Sequence, residues 1–270
     1  MALPYRLRRS LEPLRQALHA LATRFTYHAV CSLRGSKQVR FQSILIMAPH
    51  PDDEVLGLGG FVLQVLQAGG KVDLVFLTDG EKSGSSQDRE EIKRVRIAQS
   101  ERVASEWGLP LASIHRLHLR DSMVPHRGQP GFDEAVVELV QLLDDLGPEA
   151  VFATDALDYH QDHVACSEMA TEALGLSAKK PELWFYWVWA WYRLVCPMQL
   201  HKIPLSKLCK IDISGQMAKK KELLDIYLKP LSPKGTPWGG CLPEAMLYPF
   251  TKPFEFVRKS LGVGKNRAVQ

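Results

Sequence analysis

Residues 43–54, SILIMAPHPDDE, join a short apolar run to a histidine, a proline and three consecutive acids. The segment that follows, 55–67, is apolar and rich in glycine. This pattern predicts a buried strand that leads directly into a helix. In open α/β sheets, ligands bind just beyond the carboxyl ends of the strands. A histidine and two carboxylates at that place therefore indicate the start of a metal site.

Outward from this stretch, apolar strands alternate with amphipathic helices. The predicted strands are 43–48, 71–78, 113–119 and 150–154, and the predicted helices are 54–68, 88–107, 132–146 and a last one that runs to about residue 176. Repeated strand–helix units of these lengths are typical of a parallel sheet covered on both faces. We predict an α/β fold with a Rossmann-like, mostly parallel sheet, helices on both faces and an irregular C-terminal part.

The pattern changes after residue 180. An aromatic strand is predicted at 183–189, a further strand at 208–213 and a helix at 215–228, and the proline-rich tail 229–270 is expected to wrap the surface as loops. Alternate side chains of a strand point to opposite faces, which puts Trp187, Trp189 and Trp191 on one face. Either a buried strand between layers or an aromatic platform for a sugar or membrane explains them.

Composition fits a soluble globular protein. The chain has 270 residues, 46% of them hydrophobic and 24% charged, enough for one sizeable core. No apolar run approaches the ~20 residues that span a bilayer. The five scattered cysteines include no CxxC pair, so they predict neither a disulfide framework nor a cysteine zinc site. We expect a cytoplasmic protein that has no nucleic acid as its partner.

The basic character of the chain is concentrated in residues 1–40, which we interpret as an amphipathic leader before a domain at 41–270. This leader has eight Lys and Arg residues against Glu12 alone. Ser10 is the expected helix cap. Apolar residues follow at helical spacing: Leu11, Leu14, Leu18, Leu21 and Phe25. Two interpretations stay open: a helix packed on the domain, or an interfacial helix attracted to anionic lipid at the inner face of the membrane or to an acidic glycolipid.

Two polar clusters carry the chemistry, one at 50–53 and one at 160–163. Both follow predicted strands, and the carboxyl ends of parallel strands meet at one edge of the sheet. His50 and Asp53, three residues apart, and His163 from the second cluster form a set of two imidazoles and one carboxylate. Such a set with an open position is typical of catalytic zinc, although Fe²⁺ is another candidate. Bound metal lowers the pKa of water to ~7.

The remaining side chains of the two clusters fit supporting roles. Asp52 lies beside a predicted ligand and is a candidate general base. His160 is a candidate for stabilising an oxyanion or protonating a leaving amine, and Asp162 for orienting an imidazole. The alternative is structural, because Asp52 and Asp53 also favour the first turn of any helix.

The two clusters resemble the signature of the LmbE-like, or PIG-L, N-acetylglucosaminyl deacetylases, in which a strand ends in A-H-P-D-D-E and an H-P-D-H segment follows later. Here Pro49 is an additional residue between Ala48 and His50, and Gln161 replaces the usual proline. The resemblance runs from about 43 to 166, and more weakly to 256. It includes a T-x-G-E loop at 78–81 and the helix residue Arg96.

This resemblance implies zinc-dependent removal of an N-acetyl group from an amino sugar. The residues that match the family's zinc ligands are His50, Asp53 and His163. Asp52 matches the general base, and His160 matches the group that assists at the oxyanion and leaving amine. Arg96 and Asp121 match positions associated with substrate, although Arg96 also fits a solvated helix face.

Two rival classes were weighed against this hydrolase. A metal-free glycan-binding protein that retains the fold is disfavoured by the complete set of polar residues. A nucleotide-binding oxidoreductase is disfavoured because Gly57, Gly59 and Gly60 do not form GxGxxG, and the acids before them would repel a pyrophosphate. The acceptor stays open among lipid-linked sugars, polysaccharide precursors, thiol-sugar conjugates and antibiotic intermediates; the leader and the aromatic strand favour a glycolipid or surface-glycan precursor.

Overall fold

A computed structural model describes residues 5–83, 88–194 and 201–260, with side chains from residue 12 onward. The strands are β1 Ser43–Ala48, β2 Lys71–Thr78, β3 Ile114–Leu119, β4 Ala150–Thr154, β5 Glu182–Tyr186, β6 Leu208–Asp212 and β7 Phe254–Lys259. The helices are α1 Tyr5–Leu33, α2 Asp53–Gln67, α3 Arg89–Trp107, α4 Phe132–Leu146, α5 Gln161–Leu176, α6 Ala190–Arg193, α7 Met217–Leu228 and α8 Glu244–Leu247.

The strands form a seven-stranded sheet in the order β3-β2-β1-β4-β5-β7-β6. The first five strands along this order pair in parallel, and β7 pairs antiparallel with both of its neighbours. The predicted α/β fold with a mostly parallel sheet is confirmed. The sheet order reverses direction beside β1, since β2 lies on one side of it and β4 on the other. Such a switch point is where ligands bind in open α/β sheets.

The side chains of β1 contribute to two separate hydrophobic cores. Ile44, Ile46 and Ala48 belong to the core on one face of the sheet, whereas Leu45 and Met47 belong to the core on the other. Alternation of side chains across a strand requires this division. All five side chains are at most 2% exposed, which explains why the strand reads as a continuous apolar run.

The region after residue 180 corrects two predictions. The aromatic strand ends at Tyr186, and Ala190–Arg193 is a short helix, so Trp187, Trp189 and Trp191 do not share a strand face. The proline-rich tail is not only loops, because β7 inserts between β5 and β6. The last proline of the chain is Pro253, so the six residues of β7 that follow it can all pair with neighbouring strands.

Helix α1 also differs from its prediction. It begins by Tyr5, so Ser10 lies inside the helix and does not cap it. The predicted apolar face, apart from Leu11, whose side chain lies outside the described residues, is exposed: Leu14, Leu18, Leu21 and Phe25 are 57–69% accessible. The helix packs on the domain through the opposite face, where Thr23, Tyr27 and Val30 are buried. Among the described residues, none of the helices combines the length and apolar character needed to cross a bilayer.

Candidate metal centre

The first polar cluster begins where β1 ends. The carbonyl of Pro49 accepts hydrogen bonds from the Thr78 backbone N–H, at 3.0 Å, and from the Thr78 hydroxyl, at 2.8 Å. The additional proline is thus held against the end of β2. It extends the chain beyond the sheet and leaves His50 at the sheet edge.

Asp52 lies in an unusual backbone conformation, with φ at 125°. A non-glycine residue in that region is strained, and such strain persists only where the surroundings hold it. Glu54 supplies the restraint, because its Oε2 accepts the Asp52 N–H at 2.9 Å. The Tyr227 hydroxyl in turn donates to Glu54 Oε1 at 2.6 Å. This buried network holds the backbone of Asp52 in place.

Asp53 brings the two predicted imidazoles together. Its Oδ2 lies 3.2 Å from His50 Nδ1 and 3.3 Å from His163 Nε2. One ligand atom from each of the three residues lies within 4.8 Å of the others. The side chains at 50, 53 and 163 therefore converge although more than a hundred residues separate them.

His163 is held from its other nitrogen. Its Nδ1 lies 2.7 Å from Asp158 Oδ2, and both residues are fully buried. A carboxylate at this place keeps the proton on Nδ1 and leaves the lone pair on Nε2. That Nε2 has no hydrogen-bond partner in the part of the chain that the structure describes. A buried nitrogen with a free lone pair beside a carboxylate is the pattern that a metal ion satisfies.

His50 is held in the same way, but the roles of its two ring nitrogens are exchanged. Its Nε2 lies 3.0 Å from Asp162 Oδ2 and 3.4 Å from Asp121 Oδ1. These carboxylates keep the proton on Nε2, so the lone pair of Nδ1 faces Asp53. Three acceptor atoms, two imidazole nitrogens and one carboxylate oxygen, then face one another. Positive charge must lie between them, as a cation or as additional protons.

The pKa shifts of the two imidazoles and of Asp53 agree with a need for positive charge between them. The carboxylates of Asp53 and Asp158 raise the pKa of His163 to about 9, against the opposing effect of burial. The pKa of His50 is also raised well above its usual value, because Asp121, Asp162 and Asp53 outweigh burial. The pKa of Asp53 is lowered, since the two imidazoles outweigh its burial.

His160 lies at the edge of this cluster. Its ring centroid is 4.8 Å from that of His163 and 5.2 Å from that of His50. The indole of Trp189 stacks on it with the planes 19° apart. Burial and the two neighbouring imidazoles lower the pKa of His160 to about 4. Its buried Nδ1 has no partner among the described residues, so the imidazole is available to another group.

A cleft of about 170 Å³ opens over these residues. Asp52, Asp121, His160 and Trp189 are among the residues that line it. Burial raises the pKa of Asp52 to about 6, although the neighbouring Arg96 opposes that effect. The cleft gives a small polar ligand access to the cluster.

Arg96 also lines the cleft, but it is only 2% exposed. The alternative of a solvated helix face is therefore wrong. Its Nη2 donates to the carbonyl of Pro51 and, at 3.2 Å, to Asp52 Oδ2. Gly239 leaves the space that the guanidinium occupies. Two of its nitrogens, Nε and Nη1, have no partner in the described parts of the chain.

Sequence reasoning missed Asp158 and Glu54. Glu54 stands in the A-H-P-D-D-E signature, so the motif itself contained a signal for it. Asp158 had none, because its spacing of five from His163 matches no motif. Its role depends on the turn between β4 and α5, in which Tyr159 takes a positive φ of 51°.

Fold and site together define a Rossmann-like α/β protein with a His/Asp cluster at the carboxyl edge of its central strands. Residues 45–174 match the family described as PIG-L, GlcNAc-PI de-N-acetylase. This stretch contains both polar clusters, so the match to the PIG-L family falls on the part of the chain that builds the site.

Relatives agree with this assignment. Diacetylchitobiose deacetylase of Thermococcus kodakarensis is 29% identical over 148 residues, covering 50% of this chain and 50% of the relative. The match thus spans about half the length of that relative.

Solved structures share the fold. N,N′-diacetylchitobiose deacetylase of Pyrococcus horikoshii superposes with a TM-score of 0.55 and 22% identity, over 69% of each chain. The 4-carboxy-2-hydroxymuconate hydratase GalB of Pseudomonas putida superposes with a TM-score of 0.56 and 18% identity, over 78% of this chain and 83% of the other. Since a hydratase has the same fold, the activity must be argued from the site.

Proposed function

We propose that this protein is a metal-dependent hydrolase that removes the N-acetyl group from an amino-sugar conjugate and releases acetate. The observation that carries the proposal is that His50, Asp53 and His163 each bring one ligand atom within 4.8 Å of the others, with Asp53 Oδ2 at 3.2 Å from His50 Nδ1 and 3.3 Å from His163 Nε2. The match of residues 45–174 to the de-N-acetylase family supports the reaction. The name of the curated relative supports an acetylated amino sugar as substrate.

The three residues fit a divalent ion such as Zn²⁺ or Fe²⁺. Two imidazoles and one carboxylate that leave a position open are a typical set for catalytic zinc. When bound, the ion would polarise the acetamide carbonyl and lower the pKa of water to ~7. Asp158 and Asp162 fit as the outer carboxylates that fix the two imidazole tautomers.

Asp52 is proposed as the general base. It accepts the proton of the water that attacks the acetamide carbon, and its strained backbone and the Arg96 contact hold its carboxylate toward the cleft. A pKa of about 6 suits this task near neutral pH, because the carboxylate is then largely ionised yet still basic.

His160 is proposed to act on the opposite side of the reacting carbonyl. Its unpartnered nitrogen and its stacking on Trp189 suit a neutral imidazole that donates a hydrogen bond to the developing oxyanion and to the leaving amine. The proton that Asp52 accepted from the water then passes to the amine as the C–N bond breaks. Asp121 and Arg96 line the same cleft and are proposed to bind the sugar.

The substitution Asp52→Asn tests the role of the base. The variant keeps the three metal-binding side chains, so we expect unchanged metal content by elemental analysis and a loss of about 10²–10⁴-fold in acetate release. Asp133→Asn, an exposed aspartate in the first turn of α4, is the matched control and should retain full activity. Full turnover in the Asp52 variant would contradict the proposed base.

A panel of acetylated substrates tests the reaction class itself. N-acetylglucosamine conjugates with lipid, oligosaccharide or thiol aglycones would be compared by acetate release from metal-loaded protein. We expect release from at least one conjugate and none after chelation. Metal-loaded protein that binds these glycans without releasing acetate would be a glycan-binding protein instead.

A further inference from the structure

Helix α1 presents an apolar stripe that the other residues described by the structure leave uncovered. Leu14, Leu18, Leu21 and Phe25 are 57%, 58%, 61% and 69% exposed. Their spacing of four, three and four residues places them on one line along the helix. We call these four residues the α1 stripe.

The stripe is a patch and not scattered exposure. Five of the eleven large hydrophobic side chains that are exposed in the described residues lie on α1. Single exposed leucines are normal on a protein surface, whereas a contiguous row indicates an interaction site. The described part of the body is not its partner, because α1 packs there through Thr23, Thr26, Tyr27 and Val30 on its opposite face.

The charges around the stripe are basic. Arg15 and Arg24 lie on α1 to either side of it, by helical spacing. The guanidinium of Arg24 lies 5.0 Å from the ring centroid of Tyr248, and Lys252 contacts the same ring at 4.4 Å. Glu12, the sole acid of residues 1–40, is paired with Arg15. An apolar row flanked by basic side chains is complementary to an anionic lipid surface.

We propose that the α1 stripe docks the protein on the surface of a membrane that contains anionic lipid. The leucines and Phe25 insert at the level of the headgroups, and Arg15, Arg24 and Lys252 contact the lipid phosphates. The helix lies in the interface and does not cross the bilayer.

Another face of helix α1 is connected to the candidate site through a chain of contacts. His19 Nε2 of α1 lies 2.8 Å from the carbonyl of Tyr192, whose ring packs against Trp189. Trp189 stacks on His160 in the cleft. Leu242 lines both that cleft and the groove between α1 and α8. The docking proposal stands on α1 alone, however, and does not depend on the deacetylase reaction.

Vesicle sedimentation of the full chain tests the proposal. We expect the protein to sediment with vesicles of phosphatidylcholine and phosphatidylglycerol, more weakly with pure phosphatidylcholine, and to be released by high salt. Leu18→Gln combined with Leu21→Gln should reduce binding by about tenfold or more, since two inserting side chains become polar. Glutamine has a helix propensity close to that of leucine, so α1 should persist.

The matched control combines Leu111→Gln with Val137→Gln. Both residues are 65% exposed and lie outside α1, so this variant should bind vesicles like the unmodified protein. Circular dichroism of both variants checks that the fold is retained. Absence of sedimentation, or equal binding by the stripe variant and the control, would overturn the proposal. So would a lipid-free dimer that the stripe variant abolishes, because a second copy would then be the occupant.

Discussion

The segments after β1 and β4 each place one imidazole beside Asp53, but the two imidazoles are held in different ways. After β4, His163 in the first turn of α5 is completely buried and is held by Asp158 of the β4 loop, five residues before it. In the β1 loop, the His50 side chain is 11% exposed and depends on Asp162 of α5 and on Asp121, which follows β3. One imidazole is therefore fixed locally and the other by assembly of the sheet edge.

Asp158 also links the site to the segment after β5. Its carboxylate accepts the backbone N–H groups of Val188 and Ala190, the latter at 2.7 Å. The turn that carries Trp189 is thus held by the same group that orients His163. In the β4 loop a single carboxylate thus holds both an imidazole and the wall of the cleft, whereas the imidazole of the β1 loop can be disturbed without moving that wall.

Removal of a ligand should give the largest effect. For His163→Ala we expect metal affinity to fall by more than the ~100-fold that loss of an outer carboxylate costs, with acetate release lost in parallel. Titration calorimetry with Zn²⁺ measures the affinity. His126→Ala, a partly exposed histidine paired with Glu168, is the control and should bind metal normally. Unchanged affinity in the His163 variant would remove this residue from the site.

Asp158→Asn should have the next largest effect. An amide that donates to Nδ1 moves the imidazole proton to Nε2 and blocks the lone pair, so metal affinity should fall by ~10–100-fold. Backbone N–H groups that lose their carboxylate should also lower the free energy of unfolding by about 1–3 kcal/mol. Calorimetry and urea denaturation measure the two effects. If stability fell with metal affinity unchanged, Asp158 would be a structural residue alone.

Asp162→Asn should weaken metal binding by about tenfold, toward the lower end of the outer-carboxylate range. The effect is smaller because Asp121 stays within 3.4 Å of the same His50 nitrogen. The ratio of metal affinities for the Asp158 and Asp162 variants, measured under one condition, sharpens the comparison directly. A larger loss of metal affinity in the Asp162 variant would mean that His50 depends on its carboxylate more than His163 does, which contradicts the comparison.

Asp121→Asn should change metal affinity least, by less than about tenfold. Its main observed contacts are with the Lys82 N–H at 2.8 Å and the Ser122 hydroxyl at 3.1 Å, and its distance to His50 is the longer one. We expect a raised KM for the sugar at nearly constant kcat, because Asp121 lines the cleft. A metal affinity as low as that of Asp162→Asn would show that both carboxylates hold His50 equally.

Much of the fold and of the candidate site could be predicted from the sequence, because each strand and helix of the parallel part has its own local sequence pattern. The apolar run of β1 and the period of α3, which ends at Gly108 with φ at 78°, follow from burial and from glycine's conformational freedom. The convergence of His50 and His163 follows from the rule that parallel strands end at one edge.

Other features depend on contacts that no local pattern contains. The apolar row of α1 predicts a helix, but it does not tell which face packs on the body, and here the polar face with Thr23 and Thr26 is buried. Strand β7 follows a proline-rich stretch, and its place in the sheet is decided by β5 and β6. Asp158 became visible as a partner of His163 only through the turn geometry around Tyr159.

The most direct test of the account is anomalous diffraction at the zinc absorption edge from crystals soaked in Zn²⁺. We predict one strong peak at ~2.0–2.2 Å from His50 Nδ1, from Asp53 Oδ2 and from His163 Nε2, with Asp52 outside the coordination sphere. A peak bound to other residues, or no peak at this cluster in zinc-saturated crystals, would contradict it.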